Sequence, residues 1–444
     1  MKYLCPPMNP TDTFRRASGG TGEPSALMSD EARARTAIER CRTLAGFSQD
    51  RGGTRRMFLS PPMRDCHHEI TSWLKPLGAE VRIDAAGNLR GFYSAAQAEA
   101  PRLLIGSHLD TVPNAGAFDG ILGVVLGVAL LEALDGKRLP FGIEVIGFSE
   151  EEGQRFGTPF IGSRALVGRL DEELLNRKDE MGVCVRQAIQ EFGLDPREIP
   201  GAALPNDTLG YVEFHIEQGP VLDDLERSLG VVEAIAGQSR LEFIFTGSVN
   251  HAGTTPMNRR RDAIAAAAEW ITAVEREAQQ TEGLLATIGS VSAKPGAANV
   301  IAGETRLTLD VRHGSDEVRN CAVGTLVRLA EAIAGRRGMS VAQTTRLTQR
   351  SVAMDGPLMN QIDQAIRLSG CEPYRMVSGA GHDAMILAEK VPASMIFLRT
   401  PDGISHDPAE SVRVEDVAKA IAAGSHLLAL LAHSPMIQRR KHLA

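Results

Sequence analysis

Acids and imidazoles gather where apolar runs break off. In LLIGSHLDTVPNAGAFDGILG, residues 103–123, the run stops at Gly106-Ser107, and His108, Asp110 and, across a loop, Asp119 follow. A second run, FGIEVIGF, delivers Glu150, Glu151 and Glu152. A third, within YVEFHIEQGP, ends on His215, Glu217 and Gln218, and SMIFL is followed by DGISHDPAE, which carries His406. Singly, each residue has an ordinary explanation: His108 as a structural imidazole, Asp110 and Asp119 as turn formers, the glutamates as a solvated patch. Together they recur at strand end after strand end, where open α/β sheets build their sites. Three adjacent acids after a buried strand are costly unless something positive meets them. Imidazoles with carboxylates are the ligand chemistry of a divalent ion such as zinc or manganese.

Alternating apolar runs and helical stretches position these groups. Ser29 caps an amphipathic helix to about Leu44, Pro61 to Leu77 suggests a second, and EVRIDAAGNLRGFYS reads as a hairpin turning at Gly87-Asn88. The strand to His108, a helix over about 120–135, the strand to Glu150 and a polar helical region over 171–193 follow. Residues 231–348 change character: a strand (VVEAIAGQSRLEFIFTG), an Ala-rich helix from about Arg261 to Gln279, two strands, a helix capped by Ser315 and a last strand. That order is a ferredoxin-like α+β unit in its own right. Residues 349–444 return to α/β. The expected fold is therefore a catalytic α/β domain with a central mixed sheet flanked by helices, in two parts (28–229 and 349–444). A smaller ferredoxin-like lid, 230–348, interrupts it. Residues 1–27, rich in Pro, Gly, Ser and Thr, read as a disordered extension.

Composition narrows the function. The 444 residues carry 48 basic and 55 acidic side chains, a net charge of -7 that argues against a nucleic-acid surface. No stretch of about 18 apolar residues offers a membrane span, and the opening lacks a signal-peptide pattern, so a cytoplasmic protein is expected. The six cysteines are scattered without a close pair, which leaves any metal site to His, Asp and Glu.

GSHLDTVPNAGAFDGILGV, FSEEEGQRFGTPFIGSR, HIEQGPVL, GQSRLEFIFTGSVNHAGTTPM, GAANVIAGETRLTLDVRH, SGAGHDAM and GISHDPAE occur in this order. Taken together, they resemble the signatures of the dinuclear-metal M20 peptidase-like amidohydrolases, in the branch of N-carbamoyl-L-amino-acid hydrolases, allantoate amidohydrolases and β-alanine synthase. The resemblance runs from about residue 36 to 430. It implies two divalent cations, Zn2+ or Mn2+, with His108, Asp119, Glu151, His215 and His406 as ligands, Asp119 bridging. Asp110 would orient His108. Glu150 would be the general base, Gly153 favouring that register, with a one-place shift to Glu151 and Glu152 as the alternative; in the favoured register Glu152 is supporting or solvated. The resemblance further implies that His251 is an electrophilic donor reaching the opposite subunit's site, together with Asn299 and Arg312, which match carboxylate-gripping residues. Gln218, Gly381 and His382 match further substrate contacts. A homodimer through the lid follows, since a lone chain would lack its clamp. Ala115 stands where relatives carry glycine, and LRTPDGISH departs from the usual run before the last ligand; both bear on substrate identity. The implied reaction is hydrolysis of a linear ureido bond of a small carboxylate, an N-carbamoyl-L-amino acid first, releasing amino acid, CO2 and ammonia. Allantoate hydrolysis is the nearest rival. A peptidase, disfavoured by His215 in place of a carboxylate, and a non-catalytic binder stand behind it.

Overall fold

The structure, a computed structural model, describes residues 28–434, so the N-terminal stretch 1–27 lies outside it. The chain first lays down β1 (Glu80–Ile83), β2 (Leu89–Tyr93), β3 (Arg102–His108), β4 (Gly142–Phe148), β5 (Thr208–Ile216) and β6 (Leu229–Ile235). It then builds β7 (Gly237–Thr246), β8 (Asn250–His251), β9 (Leu285–Lys294), β10 (Val300–Ile301), β11 (Glu304–His313) and β12 (Ser340–Gln349). The last strands are β13 (Val352–Ala353), β14 (Tyr374–Ser378) and β15 (Ala393–Leu398).

Nine strands form one mixed sheet in the order β1-β2-β4-β3-β5-β15-β6-β13, with β14 also on β6. Its centre, β4-β3-β5-β15, is parallel, so four carboxyl ends open on one edge. These strands are buried on both faces; β4, β5 and β15 expose no residue, which is why their sequences are nearly continuous apolar runs. The helix Ile121–Ala133 is likewise apolar on all sides, with Ile121 through Leu131 buried. Gly123 lets it press on the sheet, for a Cβ there would lie 2.1 Å from the Phe214 carbonyl.

The second sheet, β12-β7-β11-β9, is antiparallel throughout. The helices Ala263–Gln280 and Asp316–Arg336 cover it, and Trp270 packs 4.2 Å from Phe243 between the layers. Strand order and helix placement are those of the ferredoxin-like unit. The run VVEAIAGQSRLEFIFTG, read as one strand, is two. It breaks at Ala236, where β6 stays in the large sheet and β7 opens the small one. The expected boundary at 230 therefore falls inside β6, because the apolar pattern continues past Gly237 from one strand into the next. No helix among the described residues is long and apolar enough to cross a membrane.

Candidate active site

The carboxyl ends of β3, β4, β5 and β15 deliver the polar cluster. His108, last residue of β3, places Nε2 3.3 Å from His215 Nε2 and 3.7 Å from Asp119 Oδ1. His215 Nε2 is itself 3.3 Å from Asp119 Oδ1. The Nδ1 atoms of His108 and His215 lie 2.9 Å from the main-chain carbonyls of Asp110 and Ile216. A carbonyl only accepts, so both Nδ1 atoms carry a proton, and both Nε2 atoms are turned toward Asp119. Two imidazole nitrogens and a carboxylate oxygen converging on one point form a cradle for a cation. Gly120 keeps it open: its φ is 70° and a Cβ there would sit 2.4 Å from His108 Nε2.

The other oxygen of Asp119 faces a second group. His406 Nε2 lies 3.1 Å from Asp119 Oδ2 and 3.7 Å from Glu152 Oε1. Two ligand sets thus share one carboxylate: buried His108, Asp119 and His215, and Asp119 with half-buried Glu152 and exposed His406. The donors of each suit a divalent metal ion. Glu151 groups with His108 and Glu152, between the two sets.

Here the structure departs from the expected register. Glu150 takes a left-handed backbone, φ 52°, which turns its side chain out of the cluster. Its Oε1 accepts the Arg155 and Phe156 amides at 2.7 and 3.2 Å. Glu150 lines neither half of the cleft, whereas Glu151 and Glu152 both do. Glu152, expected to be supporting or solvated, lies beside Asp119 and His406, and Glu151, expected to be a terminal ligand, lies beside His108 and Glu152. Asp110 also acts differently than expected. Its carboxylate is 3.9 Å from His108 Nδ1 and instead accepts the amides of Glu151 and Glu152 at 2.9 and 3.0 Å. Asp110 orients His108 with its carbonyl and the acid loop with its side chain.

The field at the site favours cations. Burial, then Asp119 and Asp110, pushes the Glu152 carboxyl up to about 7, although His108 opposes this. Burial and Glu152 push Glu151 well above the usual carboxylate range. Burial works against a charge on His108, yet Asp110 and Asp119 raise it to about 9. Burial likewise opposes ionisation of Asp119, but the His406 hydrogen bond, His215 and His108 outweigh it and hold Asp119 well below its ordinary value.

Gln218, also left-handed at φ 59°, donates Nε2–H to both oxygens of Asp119 at 3.2 and 3.0 Å. Gly381 and His382 line the cleft. His382 is buried, its ring 4.6 Å from that of His215 and its Nε2 2.9 Å from Ser378 Oγ. Arg312, expected at a partner's site, faces the cleft of its own chain. Its guanidinium pairs with Asp310 at 2.8 Å and donates to the Gly379 carbonyl at 2.8 Å. His251 and Asn299 lie away from this cleft, exposed on the ribbon β8–β10, with the Ala252 amide bonded to the Asn299 carbonyl at 2.9 Å.

Sequence reasoning did not single out Glu410. Its Oε1 accepts the amides of Phe118 and Asp119 at 2.7 and 3.0 Å, and Ser405 Oγ bridges Glu410 and Asp119. The acid four places after His406 was the available signal. Gln238 and Arg240, which line the same cleft, gave none.

Residues 104–430 match the profile of Peptidase family M20/M25/M40. The chain belongs to this family. Among M20 relatives, an N-carbamoyl-L-amino acid amidohydrolase of Geobacillus stearothermophilus is 39% identical over 374 residues, 83% of this chain and 91% of the relative. A probable allantoate deiminase of Oryza sativa subsp. japonica is 36% identical over 438 residues, 90% and 88% of the two chains. A solved hydantoinase/carbamoylase family amidase of Burkholderia multivorans superposes with a TM-score of 0.85 at 31% identity, covering 92% of this chain and all of that one. The M20 resemblance, the mixed α/β fold and a set of residues able to bind metal are thus in place.

Proposed function

We propose that this M20 protein hydrolyses the linear ureido bond of a small carboxylate, an N-carbamoyl-L-amino acid, to the free amino acid, CO2 and ammonia. The observation that carries the reading is the pair of ligand sets sharing Asp119 with Glu151 between them. His108 and His215 would hold one cation and Glu152 and His406 the other, with Asp119 bridging. Bound there, two divalent ions, Zn2+ or Mn2+, supply Lewis acidity that makes water acidic near neutral pH and polarises a carbonyl. In this register Glu151, not Glu150, is the general base: its carboxylate takes the proton of the attacking water and returns it to the leaving nitrogen.

Arg312 would swing from Asp310 to fork the substrate carboxylate, a planar match that lysine lacks. Gln218 positions Asp119 and reaches the substrate side of it, and Gly381 and His382 shape the opposite wall. His251 accepts the Gly253 amide on Nδ1 at 3.2 Å. In the neutral ring, therefore, Nε2 bears the proton and points outward as a donor for developing negative charge. His251 and Asn299 lie outside their own chain's cleft, so a second subunit would receive them. The edge strand β9, paired on one side only and carrying exposed Val291, supports a dimer through the small sheet, which then acts as the lid.

The test is ammonia release by metal-loaded protein from N-carbamoyl-L-methionine, N-carbamoyl-β-alanine and allantoate. Turnover of the first is expected to lead; silence on all three removes the ureido reading. Allantoate remains the second reading because relatives of that name match at comparable identity.

A further inference from the structure

The cleft extends past the acid and imidazole cluster. The part holding His108, Glu151, Glu152 and His215 is about 330 Å³, and a larger chamber of about 700 Å³ adjoins it. The two share Gln218, Arg312, Gly379, Ala380 and His406, so the passage between them runs along Arg312 and His406.

Several polar groups on the walls of the larger chamber are already engaged with the protein, while the buried Gln218 Oε1 at the passage is without a partner. Glu217 accepts the amides of Val221 and Leu222 at 2.7 and 2.8 Å. Asp310 is held by Arg312 and Arg240, and Ser405 by Asp119 and Glu410. The remaining surface is largely apolar and comes from separate segments: Val221 after β5, Leu285 at the start of β9, Met376 and Val377 on β14, and Phe397 on β15. Val221, Leu285 and Val377 are 39%, 59% and 38% exposed. Large apolar side chains left open around one concave surface mark a binding groove. Leu285 is also the direct cross-strand partner of Arg312, so the apolar wall begins beside the guanidinium.

We infer that this chamber receives the substrate's side chain and selects a large apolar one, so that the substrates are N-carbamoyl derivatives of branched or aromatic apolar α-amino acids. The inference rests on the ureido reading above and narrows it. With the carboxylate at Arg312 and the scissile carbonyl beside Glu151, the carbon joining them stands at the passage, and its substituent enters the larger chamber. Allantoate would bring a second ureido group there, whose N–H and C=O would lose water against a largely apolar wall. A glycine derivative would leave the apolar wall wet.

The test compares kcat/KM of the full-length, Mn2+-loaded protein on the N-carbamoyl derivatives of L-leucine, L-phenylalanine, glycine and L-aspartate, and on allantoate. Leucine and phenylalanine derivatives are expected to lead glycine by at least about tenfold, the scale of discrimination that methylene groups give in an apolar pocket. Val377→Asp should shrink the leucine-over-glycine ratio by about tenfold and Val377→Leu should keep it, a contrast that loss of folding would not produce. Leu285→Ser gives the same readout should Val377→Asp fail to fold. A lead by glycine, aspartate or allantoate, or a ratio unmoved in Val377→Asp and Leu285→Ser, overturns this inference and leaves the ureido reading standing. Silence on all five overturns both.

Discussion

One dihedral angle decides which two of three chemically identical acids face the cleft. At φ 52° Glu150 leaves the extended path of β4, a conformation that costs a non-glycine residue about 1–3 kcal/mol and is held in place by its surroundings. The surroundings here are Asp110, which anchors the next two amides, and the Arg155 and Phe156 amides, which hold the Glu150 carboxylate. Three variants separate the roles. Glu151→Gln should keep the metal content and lower turnover by about 10²–10⁴-fold, the usual worth of a positioned base. Glu152→Ala should lose metal, read by elemental analysis of the dialysed protein. Glu150→Gln should retain metal and far more turnover than Glu151→Gln, and the opposite order would restore the register expected from Gly153. The strand-end logic made His108, Asp119, His215 and His406 legible in the sequence, because each follows an apolar run. The register within EEE was not legible, since composition and spacing are the same for either choice and only the backbone turn differs. Arg240 was invisible for a related reason: alternation on an antiparallel strand says which face a side chain takes, but not what that face meets.

At the scale of elements, the site depends on how closely the strands and the helix Ile121–Ala133 approach. Gly120→Ala would drive a methyl group against His108 Nε2 while straining a left-handed backbone. Metal content should fall with little loss of helical signal in circular dichroism. Farther from the chemistry, Glu144 on β4 is buried and meets Arg90 Nε at 2.6 Å and Arg102 at 3.2 Å. Burial alone would raise its carboxyl, but Arg90 and then Arg102 outweigh it and lower it from its ordinary 4.5. A carboxylate depressed on folding contributes stability that is complete above its unfolded value and is lost as the pH falls through the folded one. Glu144→Gln should therefore cost about 3–5 kcal/mol at pH 7, since it strands buried charge. Denaturation below pH 4 should show a smaller gap between variant and parent. The order of the longer elements was mostly legible, and Ser315 does cap its helix, but the short strands β8, β10, β13 and β14 were not read. The break at Ala236 was not legible either, because the apolar pattern runs across it and the lone Gly237 beside it fits equally inside a strand.

The whole molecule places donors where its own cleft does not reach. Mixing His251→Ala protein with Glu151→Gln protein tests the shared site directly. If His251 serves the neighbouring subunit, a mixed dimer regains one complete site, and random pairing restores roughly a quarter of parental turnover. Were the histidine to act within its own chain, the mixture would stay inactive. Sedimentation should show a dimer whose dissociation accompanies loss of turnover.

The small sheet leaves the large one after Ile235 and returns at Val352, and these two residues are antiparallel partners on β6 and β13. An excursion of over a hundred residues therefore starts and ends on one rung of a ladder, as a hairpin loop does. Replacing residues 236–351 by Asn-Gly should close that rung with the two-residue turn such ladders favour. The shortened chain would retain every candidate metal ligand and give up Arg312, His251 and the edge strand together. A monomer that binds metal without turning over substrate is the expected product, and a different insert could be spliced onto the same rung to give the centre a new recognition surface.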